Sequence, residues 1–312
     1  MTQIDFLHLN RLLFLIFSEV VGVGLDLQGV SPLNLETLQR NLKTQYFGVG
    51  DHLLYHSTVE STNSLAMQLA FKRPEEGLVI LTDSQTAGKG RRGRRWVDAP
   101  GCNVLMSIVF RPLFPPHILV MMTSLAVVDA ITDICQVGAA IKWPNDVLIE
   151  DRKVAGILIE TSHDSDGHMF AVAGIGVNAN GSIEELAKHS SIQVPLTTIA
   201  TTLESACGHK VSREVFIARL LQYIEESYFA LQQEFTKLPA VGTATTESSS
   251  RLIRERWRGQ LATLGRSISV QQGNTVLSGI AEDVNDSGEL LLRRHSGELV
   301  SITWGDVEYP AR

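Results

Sequence analysis

The sequence predicts an α+β protein in two parts: a longer segment in which strands and helices intermix, and a short C-terminal segment built from strands. Three observations carry this reading. Apolar residues at three-four spacing alternate with short β-prone runs as far as Phe235. Residues 239–250, P-A-V-G-T-A-T-T-E-S-S-S, are small, polar and almost uncharged, the composition of a linker or long surface loop. Beyond them short strands recur at close intervals, separated by Gly-Asn, Asp-Ser-Gly and Ser-Gly turns, which reads as a small antiparallel barrel or sandwich.

Residues 34–44 place Leu35, Leu38 and Leu42 on one face of a short helix. Residues 52–57 read as a strand, and Ser61, Thr62 and Asn63 offer capping side chains to a helix reaching Phe71. Strands at 78–81 and 103–110 flank a glycine-rich basic loop. Pro115 and Pro116 open a long apolar helix that runs to Gln136. Residues 140–143, 147–149 and 154–160 are β-like; a turn at 163–167 leads into a strand at 169–173, which G-I-G-V-N closes. Helices dominate from there to Phe235. The C-terminal strands fall at 268–271, 276–281, 289–294 and 299–303.

With 44% hydrophobic and 20% charged residues in 312, the composition is that of an ordinary globular chain. A formal net charge of -7 argues against a protein that coats nucleic acid over its whole surface. Cys102, Cys135 and Cys207 show no C-x-x-C spacing, which reads as a reduced, cytoplasmic protein without structural zinc. The apolar run L-L-F-L-I-F at 12–17 is too short to span a bilayer, is interrupted by Glu19 and precedes no A-x-A cleavage site. It reads as a buried or poorly ordered N-terminal helix, and no membrane association is expected.

Chemistry concentrates in three clusters. The first is Q-T-A-G-K-G-R-R-G-R-R-W, from Gln85 to Trp96. Gly88, Gly90 and Gly93 spell G-x-G-x-x-G, but Asp98, Ala99, Pro100 and Gly101 stand where a Rossmann helix should begin, and no Gly-Lys-Ser/Thr completes a Walker A loop. A solvated charge run is the ordinary alternative. Against it, alternate glycines let backbone N–H groups form an anion-binding concavity, and Trp96 suits stacking on a planar ligand. So many positive charges repel one another, so the loop is expected to be mobile until an anion arrives.

The second cluster is K-W-P-N-D, Lys142 to Asp146, followed by D-R-K-V-A-G-I-L. Pro144 holds Trp143 extended and breaks the sheet, leaving Asn145 and Asp146 at a strand edge facing a cleft. Asp146 is either a turn aspartate or a Mg²⁺ ligand shared with a nucleotide. Lys153 is either a solvated hairpin residue or, three residues before Gly156, a ligand contact where backbone approaches closely. The third cluster, G-I-G-V-N-A-N, is a glycine-relieved strand end whose Asn178 offers a donor and an acceptor to a purine edge.

S-T-N, the basic loop, K-W-P-N-D, R-K-V-A-G-I-L-I-E and G-I-G-V-N follow one another in the order and spacing of the biotin–protein ligases, and the chain resembles that family from residue 45 to 309, including G-I-A-E-D-V-N-D-S-G-E-L-L-L near its end. The resemblance implies a mixed sheet flanked by helices, as in the class II synthetase-like biotin–lipoate ligase catalytic domain, followed by a small SH3-like β-barrel. It divides the chain into an N-terminal extension, helical or partly disordered (1–44), a catalytic ligase domain (45–238), a linker and connecting helix (239–258) and the barrel (259–312). The implied activity is ATP-dependent attachment of biotin to one lysine of a biotin carboxyl carrier domain, through biotinyl-5′-adenylate, with Mg²⁺ accompanying ATP.

Carried onto matching positions, Ser61, Thr62, Asn63 and Gln85 hold the biotin rings, and Lys89, Gly90 and Arg91 close on the biotin carboxylate and adenylate phosphate. Lys153 and Gly156 lie beside the reacting carboxylate. Arg91, Trp96, Lys142, Asn145 and Asn178 hold the nucleotide, and Asp146 assists Mg²⁺. Arg91, Lys153 and Asp146 are the candidate catalytic groups; the base that deprotonates the acceptor lysine is not assigned. Two rivals stand beside this reading: a lipoate or octanoate–protein ligase or transferase on the same scaffold, and a biotin-responsive DNA-binding repressor. Fewer than about 45 residues precede the catalytic pattern and no basic recognition helix is evident, so no nucleic-acid partner is expected; a homodimer is left open.

Overall fold

The structure, a computed structural model, describes residues 31–72, 76–184, 199–236 and 248–310. The readings made for 12–17 and for most of the linker lie outside these residues. A mixed sheet of seven strands, as expected, organises the larger part: β1 (Leu53–Val59), β2 (Val79–Gln85), β3 (Val104–Phe110), β4 (Ala140–Lys142), β5 (Asp146–Ile149), β6 (Arg152–His163) and β7 (Met169–Val177), in the order β1-β2-β3-β7-β6-β5-β4. Only β1 and β2 run parallel. Parallel neighbours need a crossover, which the helix Thr62–Lys72 supplies.

The strands alternate between two apolar faces. Ile80, Val109, Phe170 and Val172 meet Ala66 and Ala70 of the crossover helix on one side. Val79, Leu81, Ile108, Phe110, Ala173 and Ile175 face the other way into the main core. Five further helices complete the described set. In chain order with the crossover helix, α2, they are α1 (Leu35–Asn41), α3 (Pro116–Cys135), α4 (Leu203–Cys207), α5 (Arg213–Thr236) and α6 (Ser249–Gly259). Helix α3 is apolar and long enough to cross a bilayer, yet most of it is buried within the protein, where it packs on α5, α6 and β6. It is a core helix.

Two buried charges tie the layers together. Glu225 of α5 accepts from the backbone N–H groups of Gln45, Tyr46 and Phe47, ordering the chain before β1. Arg213 of α5 pairs with Asp83 of β2 at 2.7 Å and donates to the carbonyls of Ser31 and Asn103.

The C-terminal strands β8 (Ser267–Gln272), β9 (Thr275–Val284), β10 (Leu290–Arg294), β11 (Leu299–Ile302) and β12 (Asp306–Glu308) form one antiparallel sheet in the order β11-β10-β9-β8-β12. The three residues of β12 are too short to show a period of two, so the sequence reading ends one strand early. This sheet is fastened to the larger part at β4. Ile141 exchanges backbone hydrogen bonds with Gln260 and Ala262, and the Trp143 indole donates to the Gly288 carbonyl at 2.8 Å.

Candidate active site

One cleft, about 170 Å³ in volume, is lined by every residue assigned a binding or catalytic role above except Asn178. Its uncharged end is built where α2 begins. Gln85, the last residue of β2, turns its carbonyl oxygen onto Thr62, accepting from the backbone N–H at 2.9 Å. Ser107 of β3 sits 2.8 Å from the Thr62 hydroxyl and 2.7 Å from Asn63 Oδ1, and the Asn63 amide donates to Glu160 of β6 at 2.8 Å. Thr62 and Asn63 are thereby fixed by neighbours, whereas the buried Ser61 Oγ has no partner among the described residues. The short reach of these side chains and their mixture of donors and acceptors suit a small, neutral, polar ring.

The basic loop is a tight hairpin. Gly90 N–H donates to the Arg94 carbonyl at 2.7 Å and Trp96 N–H to the Gly88 carbonyl at 2.9 Å, with a left-handed turn at Arg92 (φ 57°) and Gly93 (φ 73°). This corrects the reading of its first two glycines. They admit the opposite strand rather than turning N–H groups toward an anion: a Cβ on Gly88 would lie 2.7 Å from the Trp96 carbonyl oxygen. Nor is the loop without protein partners. Asp306 pairs with Arg92 at 2.8 Å and Arg94 at 2.6 Å, which relieves the mutual repulsion of the cations. Arg91 turns the other way, into the cleft, and donates to Asn145 Oδ1 at 2.7 Å.

Trp96 lies across a glycine pair. Gly156 on β6 and Gly176 on β7 are directly opposite each other in the sheet, and a Cβ at Gly176 would lie 2.5 Å from the indole while one at Gly156 would lie 3.1 Å away. Lys153 Nζ stands 5.6 Å from the ring centre and 2.7 Å from Asp146 Oδ1. Lys142 is paired in register with Asp146 across the β4–β5 hairpin and extends over the Tyr309 ring at 4.8 Å. The turn between them contains a cis Trp143–Pro144 peptide. Burial lowers the Lys142 pKa from its ordinary value, with Asp146 opposing the shift, and burial likewise lowers that of Arg91 against the pull of Asp306 and Asp146. Both cations have lost part of their hydration, so an anion entering the cleft is stabilised more strongly than it would be at the open surface.

Asn178 is set apart. Its amide donates to the Thr201 carbonyl at 3.2 Å and its backbone fastens to Val154 and Leu203, so it shapes the end of β7 beside Lys153 without lining the cleft. Sequence reasoning also missed Ser107, Glu160, Gly305 and Asp306. Ser107 sits inside a strand with no motif around it, Glu160 ends the motif R-K-V-A-G-I-L-I-E without having been given a role, and the last two act on a loop more than two hundred residues away in the chain. Only a distance between elements identifies them.

Residues 55–178 match the Biotin/lipoate A/B protein ligase family, and residues 263–309 match the Biotin protein ligase C terminal domain. A biotin--[acetyl-CoA-carboxylase] ligase of Paracoccus denitrificans is 35% identical over 246 residues, covering 77% of this chain and 94% of that protein. The chain belongs to the biotin protein ligase family. Another relative, the bifunctional ligase/repressor BirA of Bacillus subtilis, is 31% identical over 281 residues, covering 88% of this chain and 79% of its own. The biotin protein ligase from Aquifex aeolicus in complex with biotin and ATP shares the fold, with a TM-score of 0.64 at 23% identity over 82% of this chain and 97% of that one. The two matched regions correspond to the seven-stranded sheet and the C-terminal antiparallel sheet of this biotin protein ligase, the α+β architecture expected from its sequence.

Proposed function

We propose that this biotin protein ligase activates biotin with ATP as biotinyl-5′-adenylate and transfers the biotinyl group to a lysine of a biotin carboxyl carrier domain in the cytoplasm. The observation that supports it best is the meeting, in one cleft, of an uncharged polar pocket with the cations Lys89, Arg91, Lys142 and Lys153. Adenylation requires a carboxylate to approach the α-phosphorus of a polyanion, and such charges repel strongly where water is excluded. Arg91 and Lys153 are placed to offset that repulsion and to hold the charge that accumulates as pyrophosphate leaves. No enzyme nucleophile is needed; holding the two substrates in line supplies much of the rate.

In the assignment we make, Ser61, Thr62, Asn63 and Gln85 hold the ureido ring, Lys89 and Gly90 flank the acyl chain, and Lys153 and Gly156 adjoin the carboxylate. Trp96, Lys142 and Asn145 adjoin the nucleotide. Among the described residues two carboxylates line the cleft; Asp306 is paired with Arg92 and Arg94, so Asp146, whose Oδ1 meets Lys153, is the one that would hold Mg²⁺. That fits an ion held chiefly by nucleotide oxygens and water, with Asp146 as a single protein ligand; when bound it neutralises phosphate charge. In the second step a neutral lysine amine attacks the acyl carbon and AMP leaves, the hairpin shielding the mixed anhydride from water until then.

The pocket also favours biotin over a lipoyl or octanoyl group. An aliphatic chain or dithiolane ring would leave the buried Ser61 hydroxyl facing apolar atoms, at a cost of about 1–3 kcal/mol for a buried polar group left unsatisfied. Biotin-dependent exchange between pyrophosphate and ATP tests the proposal. Exchange supported by lipoate and not by biotin overturns it.

A further inference from the structure

We propose that Asp306, in the C-terminal sheet, is a positioning residue for the adenylate-forming site: it latches the basic hairpin shut. The proposal rests on the function just argued. Four contacts converge on one turn of that sheet. Asp306 Oδ2 accepts from Arg92 at 2.8 Å and Arg94 at 2.6 Å, the Gln271 carbonyl accepts from Arg92 at 3.1 Å, and the Gly305 carbonyl accepts from Arg91 at 3.5 Å. The Arg92 guanidinium also lies 5.0 Å from the centre of the Trp304 ring. Gly305 (φ 154°) lets this turn press against its own sheet, since a Cβ there would lie 2.4 Å from Val270 Cγ1 of β8.

The arrangement divides the labour within the hairpin. Arg92 and Arg94 spend their charge on protein, while the neighbouring Arg91 lies over Asn145 and points into the cleft. A hairpin with five cations in seven residues and no acidic partner would splay apart. Asp306 is the carboxylate that two of those cations share, and its side chain is only 17% exposed, so solvent weakens the pairing less than at an open surface. The C-terminal sheet, which also lines the cleft at Gly305, Asp306 and Val307, thus acts on catalysis through the hairpin.

The test uses the full-length protein and compares Asp306→Asn and Asp306→Glu with the parent chain. Three quantities are read: biotin-dependent pyrophosphate exchange, the rate at which preformed biotinyl-adenylate is released, and the half-time of tryptic cleavage within residues 91–95. Loss of two partly exposed ion pairs should speed both adenylate release and cleavage roughly fivefold in Asp306→Asn, at an unchanged melting temperature. The Michaelis constant for biotin should rise more than kcat falls, and Asp306→Glu should restore all three readings. If Asp306→Asn does not fold, Arg92→Gln with Arg94→Gln removes the same pairs from the other side and should speed adenylate release likewise, with cleavage then read after Arg91 and Arg95. Release and cleavage at the parent rates in these variants would overturn the latch. A parent chain with no exchange at all would instead sink the ligase reading, while the tryptic half-times would still report on the latch.

Discussion

Lys153 shows how little a residue's own neighbourhood in sequence says about its work. It begins a hairpin in which a lysine is ordinarily solvated, yet its ammonium sits between Asp146, the Trp96 ring and the opening left by Gly156. Replacing it with alanine should lower kcat/KM for adenylate formation by roughly a hundredfold or more, the scale on which a single electrostatic group aimed at a transition state acts. Arginine should restore little, because a planar fork does not substitute for a compact ammonium in so close a space. Arg91 plays a different part. Arg91→Gly should leave adenylation measurable but accelerate loss of the intermediate from the cleft, detected as biotin on lysines of bystander proteins; adenylate retained at the parent rate would refute that role.

At the scale of elements, the informative case is the paired glycines of β6 and β7. Gly176→Val places atoms where the Trp96 indole lies, so it should cost about 1–3 kcal/mol in stability and shift the tryptophan emission of the free protein. Thermal denaturation and fluorescence check this together; a variant with the parent spectrum would show that the ring had not moved. Much of this level was legible in the sequence. The helix of residues 116–135 was announced by its two prolines and its apolar run, and the start of α2 by the capping side chains of S-T-N, whereas the strand read at 78–81 runs on to Gln85. G-I-G-V-N does end its strand, but the strand read at 169–173 is four residues short because glycine weakens strand propensity. In the structure β7 runs on through Gly174 and Gly176, and what demands those glycines is Asn63 and Trp96 pressing on it from other elements. Such demands leave no periodic trace.

Across the whole molecule, stability leans on a few buried polar ties between layers. Arg213→Met strands the Asp83 carboxylate and the Asn103 carbonyl in the core, and should cost about 3–5 kcal/mol in chemical denaturation. High pH probes the same ties. Desolvation, reinforced by its hydrogen bond to Asp83, pushes Tyr55 up to about 12, and desolvation beside Glu76 raises Tyr228 further. The unfolded chain ionises its tyrosines near 10, so their contribution is complete below that pH and declines as pH rises toward the native values. Denaturation midpoints should therefore fall from about pH 10 upward, and less steeply in Tyr55→Phe. The contact between Arg92 and Asp306 joins positions 214 apart in the chain. A ribosome making this protein therefore releases the pocket for the small neutral ring long before the stretch that closes the hairpin over it. On the reading proposed above, a growing polypeptide that still lacks this segment would carry the residues of the ring pocket without the carboxylate that latches the hairpin over it.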